Sequence, residues 1–248
     1  MSTMTRFRVY GTEFCNHLQA VALFQADARK IPQYAAVRCI ARTDGLTMIA
    51  HNGLSCAVAD LSTLDPEGAG LFSIPTTQVK ALLAIFHRKL PKGTLPDEYV
   101  LEVKLTARTL TVTDVSGLFT GDEYVMALPD PDSLEPHEEP EDAHTMRAAA
   151  SARGALADAA PTDLTDGVHF SPTELGRLAR AAGTLGWNLH IRPVGHMLIA
   201  PIAETFVAAT YAELNDRPAD GPHAPFIDER ALADVRRRLD EIVEQGAL

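Results

Sequence analysis

A chain of 248 residues, 46% hydrophobic and only 22% charged, suffices for one large or two medium domains and has apolar material for a packed core. No apolar run approaches the roughly eighteen residues of a membrane span, and MSTMTRFRVYG lacks the apolar stretch of a secretory signal, so a soluble, cytoplasmic protein is expected. A formal charge of -11 argues against a generally basic nucleic-acid binder, and three cysteines without C-x-x-C spacing (Cys15, Cys39, Cys56) suggest neither a disulfide framework nor a zinc ribbon.

In chain order, RFRVY predicts a strand and GTEFCNHLQAVALFQADARK a helix, with Thr12 as its cap and Phe14, Leu18, Val21 and Phe24 on its inner face. Pro32 ends that segment. YAAVRCIARTDGLTMIAHNGLSCAVADLS predicts three strands joined by Asp44-Gly45 and Asn52-Gly53, strong hairpin signals. Leu71 to Ile74 adds a strand. The helix from Thr76 follows, with Val79, Leu82, Leu83 and Phe86 at i, i+3, i+4 and i+7, and then the strands YVLEVKL, TLTVTDV and EYVMAL. Residues 1–128 thus form one unit.

The segment 129–143 reads as an acidic linker: seven of the 33 acids fall between Asp130 and Asp142 with no Lys or Arg, so the acidic excess is concentrated there. HTMRAAASARGALADAA predicts an alanine-rich helix weakened by Gly154. FSPTELGRLARAAGTL then repeats the earlier helix, with Leu175, Leu178, Ala179 and Ala182 on one stripe, and WNLHIRP, HMLIAPI and TFVAATYA repeat its three strands. A repeat in this order predicts two copies of one unit. The second, 144–214, has room only for an abbreviated form. Residues 215–248 hold a loop and an amphipathic C-terminal helix striped by Leu232, Val235, Leu239 and Ile242. The expected class is α+β, with repeats of helices on antiparallel sheets.

Signals for catalysis are lacking. There is no G-x-x-x-x-G-K-[ST], G-x-S-x-G or H-E-x-x-H motif. His137 and His144 flank acids in the linker without a fixed metal geometry, and Cys15 and His17, two apart on a helix, do not face each other. No catalytic residue, cofactor or metal is expected. Burying the apolar stripes turns Lys80, Ala84 and Arg88 outward on one second helix, with Lys89 and Lys92 after it, and Arg177, Arg180 and Thr184 outward on the other. Taken alone, such cations are the solvated side of an amphipathic helix. The first helices offer less: Asn16, Gln19, Leu23 and Asp27 face outward on one, and the alanine-rich one carries only Arg147 and Arg153.

The two helix-and-meander units, the phrase VRCIARTDGLTMIAHNG, the lead-ins FSIPT and FSPTE, and GHMLIAPIAETFVAATYA together resemble the bacterial DNA polymerase sliding clamp, the DNA polymerase III beta subunit family. The match covers Arg6 to Leu128 and Phe170 to Leu214. Members of that family carry three such domains and end at the last strand, whereas this chain has room for two and continues through residues 215–248. The resemblance implies a non-enzymatic processivity factor, a homo-oligomeric ring (trimer if six domains are kept, or dimer) around double-stranded DNA. Its helices would line the hole with cations that meet phosphates without reading bases. The positions that would do so are Lys80, Arg88, Lys89, Lys92, Arg177 and Arg180. It also implies a cleft for peptides of DNA polymerase or other clamp-binding proteins, with Met197, Ile199, Phe206, Val207 and Tyr211 nearest to it. A clamp-derived interaction module that does not encircle DNA is the alternative, favoured if the second unit lacks its first strands. An enzyme on an unrecognised α+β scaffold would need a concave pocket with converging polar groups.

Overall fold

Alternating apolar residues in the first strand drive one face inward: β1 (Thr5–Tyr10) buries Thr5, Phe7 and Val9 and half-exposes Arg6, Arg8 and Tyr10. The computed structural model describes residues 4–88, 90, 95–117, 121–128, 147–154 and 168–214. The predicted acidic linker, Lys89, Lys92 and the predicted C-terminal helix lie outside these residues.

β1 runs without a loop into α1 (Gly11–Ala22). Thr12 is not the cap expected from the sequence, since the helix starts one residue earlier and its Oγ1 is buried with no hydrogen-bond partner. Instead the Gly11 N–H donates to the Tyr99 carbonyl at 2.7 Å, so backbone distant in sequence satisfies one of the donors at the helix terminus. The helix stops at Ala22, well before the expected Lys30. Phe14, Leu18, Val21 and Phe24 are all buried as expected.

The turn signals hold. β2 (Ala36–Arg42), β3 (Gly45–His51) and β4 (Ser55–Leu61) form the antiparallel meander, with Asn52 Oδ1 accepting from the Leu54 and Ser55 N–H groups to close the second turn. β5 (Leu64–Glu67) was not foreseen: LDPE is too short and lacks alternation, and it is an edge strand that pairs with β1. β6 (Gly70–Pro75) then leads into α2 (Thr76–Phe86), whose Val79, Leu82 and Phe86 are buried. β7 (Val100–Leu105), β8 (Thr109–Asp114) and β9 (Glu123–Ala127) follow.

Residues 147–154 are helical (α3), and β10 (Val168–His169) precedes α4 (Pro172–Leu185). β11 (Arg192–Val194), β12 (Met197–Pro201), β13 (Phe206–Tyr211) and β14 (Glu213–Leu214) complete the described chain. Trp187 to Ile191, expected in a strand, is not in one, because Gly186 at φ 73° turns the chain out of α4 and leaves Trp187 60% exposed.

A five-stranded sheet has the order β5-β1-β7-β8-β9, and a seven-stranded sheet the order β11-β12-β13-β4-β3-β2-β6. The strands of the two repeats are therefore not separate: β13 pairs antiparallel with β4, from Phe206 opposite Ala59 to Thr210 opposite Ser55. One continuous core takes side chains from both sheets and from α1, α2 and α4. α1 packs against both other helices, and none of its residues is fully exposed.

Two predictions arise from the core's edges. A Cβ on Gly11 would sit 2.5 Å from the buried ring of Tyr99, whose hydroxyl donates to the Phe86 carbonyl at 2.8 Å. Gly11→Ala is thus expected to destabilise by about 1–3 kcal/mol through overpacking, read by urea denaturation, with partial rescue by Tyr99→Leu. On the outer face of the five-stranded sheet, burial works to raise the Glu102 carboxyl. Hydrogen bonds and charge from Lys104 (2.6 Å) and Arg6 outweigh that and hold it below the ordinary range. Asp114 is likewise held down against burial, by Ser116 and Arg88. A carboxylate depressed in the folded state stabilises above its unfolded pKa and loses that contribution as pH falls through the folded value. Stability should decline below about pH 4.5, and Glu102→Gln should flatten this acid limb in melts taken across pH.

Candidate nucleic-acid and peptide interfaces

Two surfaces carry the residues expected to function: the outward side of the helices and the outer face of the seven-stranded sheet. On the first, Lys80 is exposed on α2 and has no ion pair among the described residues, consistent with its place opposite Val79, Leu82 and Phe86. Arg180 is exposed on α4, its Nε donating, among the described residues, to the Gly176 carbonyl one turn back at 3.2 Å. These two are available to an anion.

The other two described cations are engaged. Arg88 pairs with Asp114, lies 3.9 Å from Asp122, and stacks over the Tyr99 ring with its guanidinium carbon 4.5 Å from the centroid. A phosphate would have to compete with two carboxylates for it. Arg177, expected outward, turns toward α1 and is half-buried: its Nη1 donates to the carbonyls of Leu23 and Gln25, and its Nε to Glu174 at 3.1 Å. The reason is a rotation of α4 about its axis. Glu174, Leu178, Ala181 and Ala182 are buried and Ala179 is exposed, whereas the sequence stripe placed Ala179 inside. Glu174, 5% exposed, accepts from Ser55 Oγ and from Asn52 Nδ2 at 3.1 Å, which pins α4 to the β3–β4 turn.

On the sheet, alternation sorts the expected cleft residues. Val207 and Tyr211 on β13 and Met197 and Ile199 on β12 share the outer face, while Phe206 points to the opposite side, into the main core. Cys56, Val58 and Ile49 extend that outer face across β4 and β3. Covering it lies α3, which places Ala149 and Ala152 on the sheet. The Tyr211 hydroxyl donates to Ser151 Oγ at 3.3 Å, Cys56 Sγ to the Ala148 carbonyl at 3.5 Å, and Arg153 pairs with Asp60 at 2.5 Å. Sequence reasoning placed this helix as the counterpart of α1; in the structure its described residues pack on the sheet through Ala149 and Ala152. Burial raises the Cys56 thiol to about 12 and pushes the Tyr211 phenol up as well. No group of three or more His, Cys, Asp or Glu among the described residues could hold a metal ion, and no described helix is long and apolar enough to cross a membrane.

No family model matches the sequence, and no curated protein sequence matches it. Solved structures do. The DNA polymerase III beta subunit of Thermotoga maritima aligns with a TM-score of 0.55 at 11% identity, over 92% of this chain and 67% of that one. The sliding clamps of Pseudomonas aeruginosa and Bartonella birtlesii, both bound to griselimycin, align at 0.51 and 13% identity, again over 92% of this chain and 67% and 68% of theirs. At such identity the likeness is one of fold. By that likeness the chain is an α+β protein with the fold of the bacterial DNA polymerase III beta sliding clamp, spanning about two thirds of such a chain.

Proposed function

We propose that this protein is a non-enzymatic, clamp-type accessory factor of DNA replication or repair, working in the cytoplasm as a homo-oligomer. It would meet duplex DNA through the outward side of its helices and tether polymerase or repair proteins through the outer face of its seven-stranded sheet. The observation that carries this reading is the sheet continued across β4 and β13, with α1, α2 and α4 sharing one core behind it. Contact with DNA is assigned to Lys80 and Arg180, joined by Lys89 and Lys92; Arg88 adds to it only where phosphate outcompetes Asp114. A contact set this small supports weak, salt-sensitive attraction of the kind a sliding protein needs. Among the described residues β9 ends one sheet and β11 and β6 end the other, and such edges are where copies would be joined.

A second reading is a clamp-derived interaction module that does not encircle DNA. It is favoured by the second repeat, in which no four-strand block precedes α4 among the described residues, and by the internal engagement of Arg88 and Arg177. Retention on circular DNA separates the two. The clamp reading expects retention on closed circles that is lost on linearisation, and at least tenfold loss for Lys80→Glu with Arg180→Glu in low salt. Equal retention on circles and linear DNA, or a strictly monomeric protein by mass photometry at micromolar concentration, would rule out encirclement.

A further inference from the structure

Tryptophan is on average a highly buried residue, yet Trp187, the chain's single tryptophan, is 60% exposed. The backbone holds it in that position. The Trp187 N–H donates to the Ala182 carbonyl at 3.0 Å while Gly186, at φ 73°, closes α4 with a left-handed cap. Leu185 and Leu189, one on each side of the tryptophan, pack against the main core. The indole is thus carried outward between two anchored flanks.

The outward side of α4 leads up to it. With Leu178, Ala181 and Ala182 buried, a rotation of about 100° per residue sets Gly176, Arg180 and Gly183 opposite them. A Cβ at Gly176 or Gly183 would meet nothing within 4 Å among the described residues, and neither glycine has a positive φ. Glycine inside a helix is less stable than alanine, and here neither a close neighbour nor a left-handed turn requires it. What the two glycines do provide is a smooth surface that another backbone can approach closely. Charge favours an anion along the same route: no Asp or Glu stands between Glu174 and Glu204, whereas Arg180, His190 and Arg192 are exposed, in a chain whose formal charge is -11. From Arg180 to Trp187 the helix rises about 10 Å, the length of about three stacked bases at 3.4 Å each.

We infer that Trp187 is a stacking platform for unpaired bases: a single strand of nucleic acid lies along the outward side of α4, with a phosphate drawn to Arg180 and a base seated on the indole. In a duplex each base face is covered by its neighbours, so an exposed indole finds a stacking partner only where a strand is unpaired. A neutral apolar peptide would cover the ring but leave Arg180 without a counter-charge. The inference rests on the reading of the outward side of the helices as the side that meets DNA, and adds that this side distinguishes an unpaired strand from duplex.

Because the chain holds one tryptophan, its emission reports this position alone. In low salt, oligothymidylate added to the full chain should quench that emission by about a third or more, and inorganic polyphosphate, which carries charge without bases, should leave it nearly unchanged. Trp187→Ala should weaken binding of labelled oligothymidylate, read by anisotropy, about tenfold, the scale of one base stacked on an aromatic ring. Trp187→Phe should recover most of that loss, and duplex binding should fall less than oligothymidylate binding. Gly176→Gln with Gly183→Gln should raise the melting temperature and still weaken oligothymidylate several-fold, which separates lost binding from lost fold. Equal quenching by polyphosphate, wild-type affinity in Trp187→Ala, or a blue-shifted emission that acrylamide fails to quench in the free protein overturns the proposal, the last by showing that another part of the chain covers the ring. Retention on closed circular duplex with no quenching by oligothymidylate sinks the stacking site and leaves the clamp reading standing; binding to neither sinks both.

Discussion

Phe206→Ala is expected to cost about 3–5 kcal/mol, the usual loss for emptying a buried phenylalanine site. The ring is 2% exposed, near the ring of His17, with 6.3 Å between the two centroids, and belongs to the core shared by both sheets and three helices. Because β13 is also the strand that joins the second repeat to β4, collapse around the cavity would disturb the junction on which the clamp-like topology depends. At about 2–4 °C per kcal/mol for a chain of this size, the melting temperature should fall by roughly 10 °C. Val207→Ala, one residue away on the outer face, should leave the main core intact and loosen only the seat of α3. If Phe206→Ala melts within about 2 °C of the wild type while Val207→Ala does not, the two faces of β13 have been assigned the wrong way round.

Glu174→Ala should be the other large perturbation, about 3 kcal/mol, at the lower end of what removing one member of a buried ion pair costs because Arg177 retains the carbonyls of Leu23 and Gln25. The substitution leaves Asn52 Nδ2 without its acceptor, Ser55 Oγ with only the longer contact to Asn52 Oδ1 at 3.4 Å, and Arg177 without its counter-charge, at the place where α4 meets both α1 and the β3–β4 turn. Glu174→Gln, which keeps an acceptor oxygen, should recover a substantial part of the loss. Chemical denaturation of both variants decides the matter; a Glu174→Ala protein as stable as the wild type would mean that α4 is held by its apolar stripe alone. The same geometry explains why Arg177 is a poor choice for testing DNA contact: its removal would weaken the fold before it said anything about phosphate, whereas Lys80 and Arg180 are exposed and separable from stability.

Much of the first repeat could be read before any coordinates. The Asp44-Gly45 and Asn52-Gly53 turns, the stripe of Val79, Leu82 and Phe86, and the alternation in β7 and β8 all work within a few residues, and each has its expected place. The resemblance to sliding clamps rested on the order of these pieces, and the solved clamps align with 92% of the chain. Less legible were features governed by neighbours distant in sequence. LDPE gave no strand signal because an edge strand needs only the partner β1 offers. α4 is turned to bury Glu174 because Ser55 and Asn52 wait for a carboxylate, a fact that no stripe of leucines and alanines encodes.

By itself the sequence determined the class of the protein, the places of α1, α2 and α4 and of most described strands, and the exposure of Lys80 and Arg180, since side-chain period and turn chemistry are local properties of the chain. Only the tertiary structure decided which of those cations are spoken for, which face of β13 is core, and that the alanine-bearing helix at 147–154 covers the opposite face. Those depend on pairings such as Ser55 with Thr210, where backbone hydrogen bonding, open to any strand of suitable register, is directed by which edges the rest of the fold leaves free.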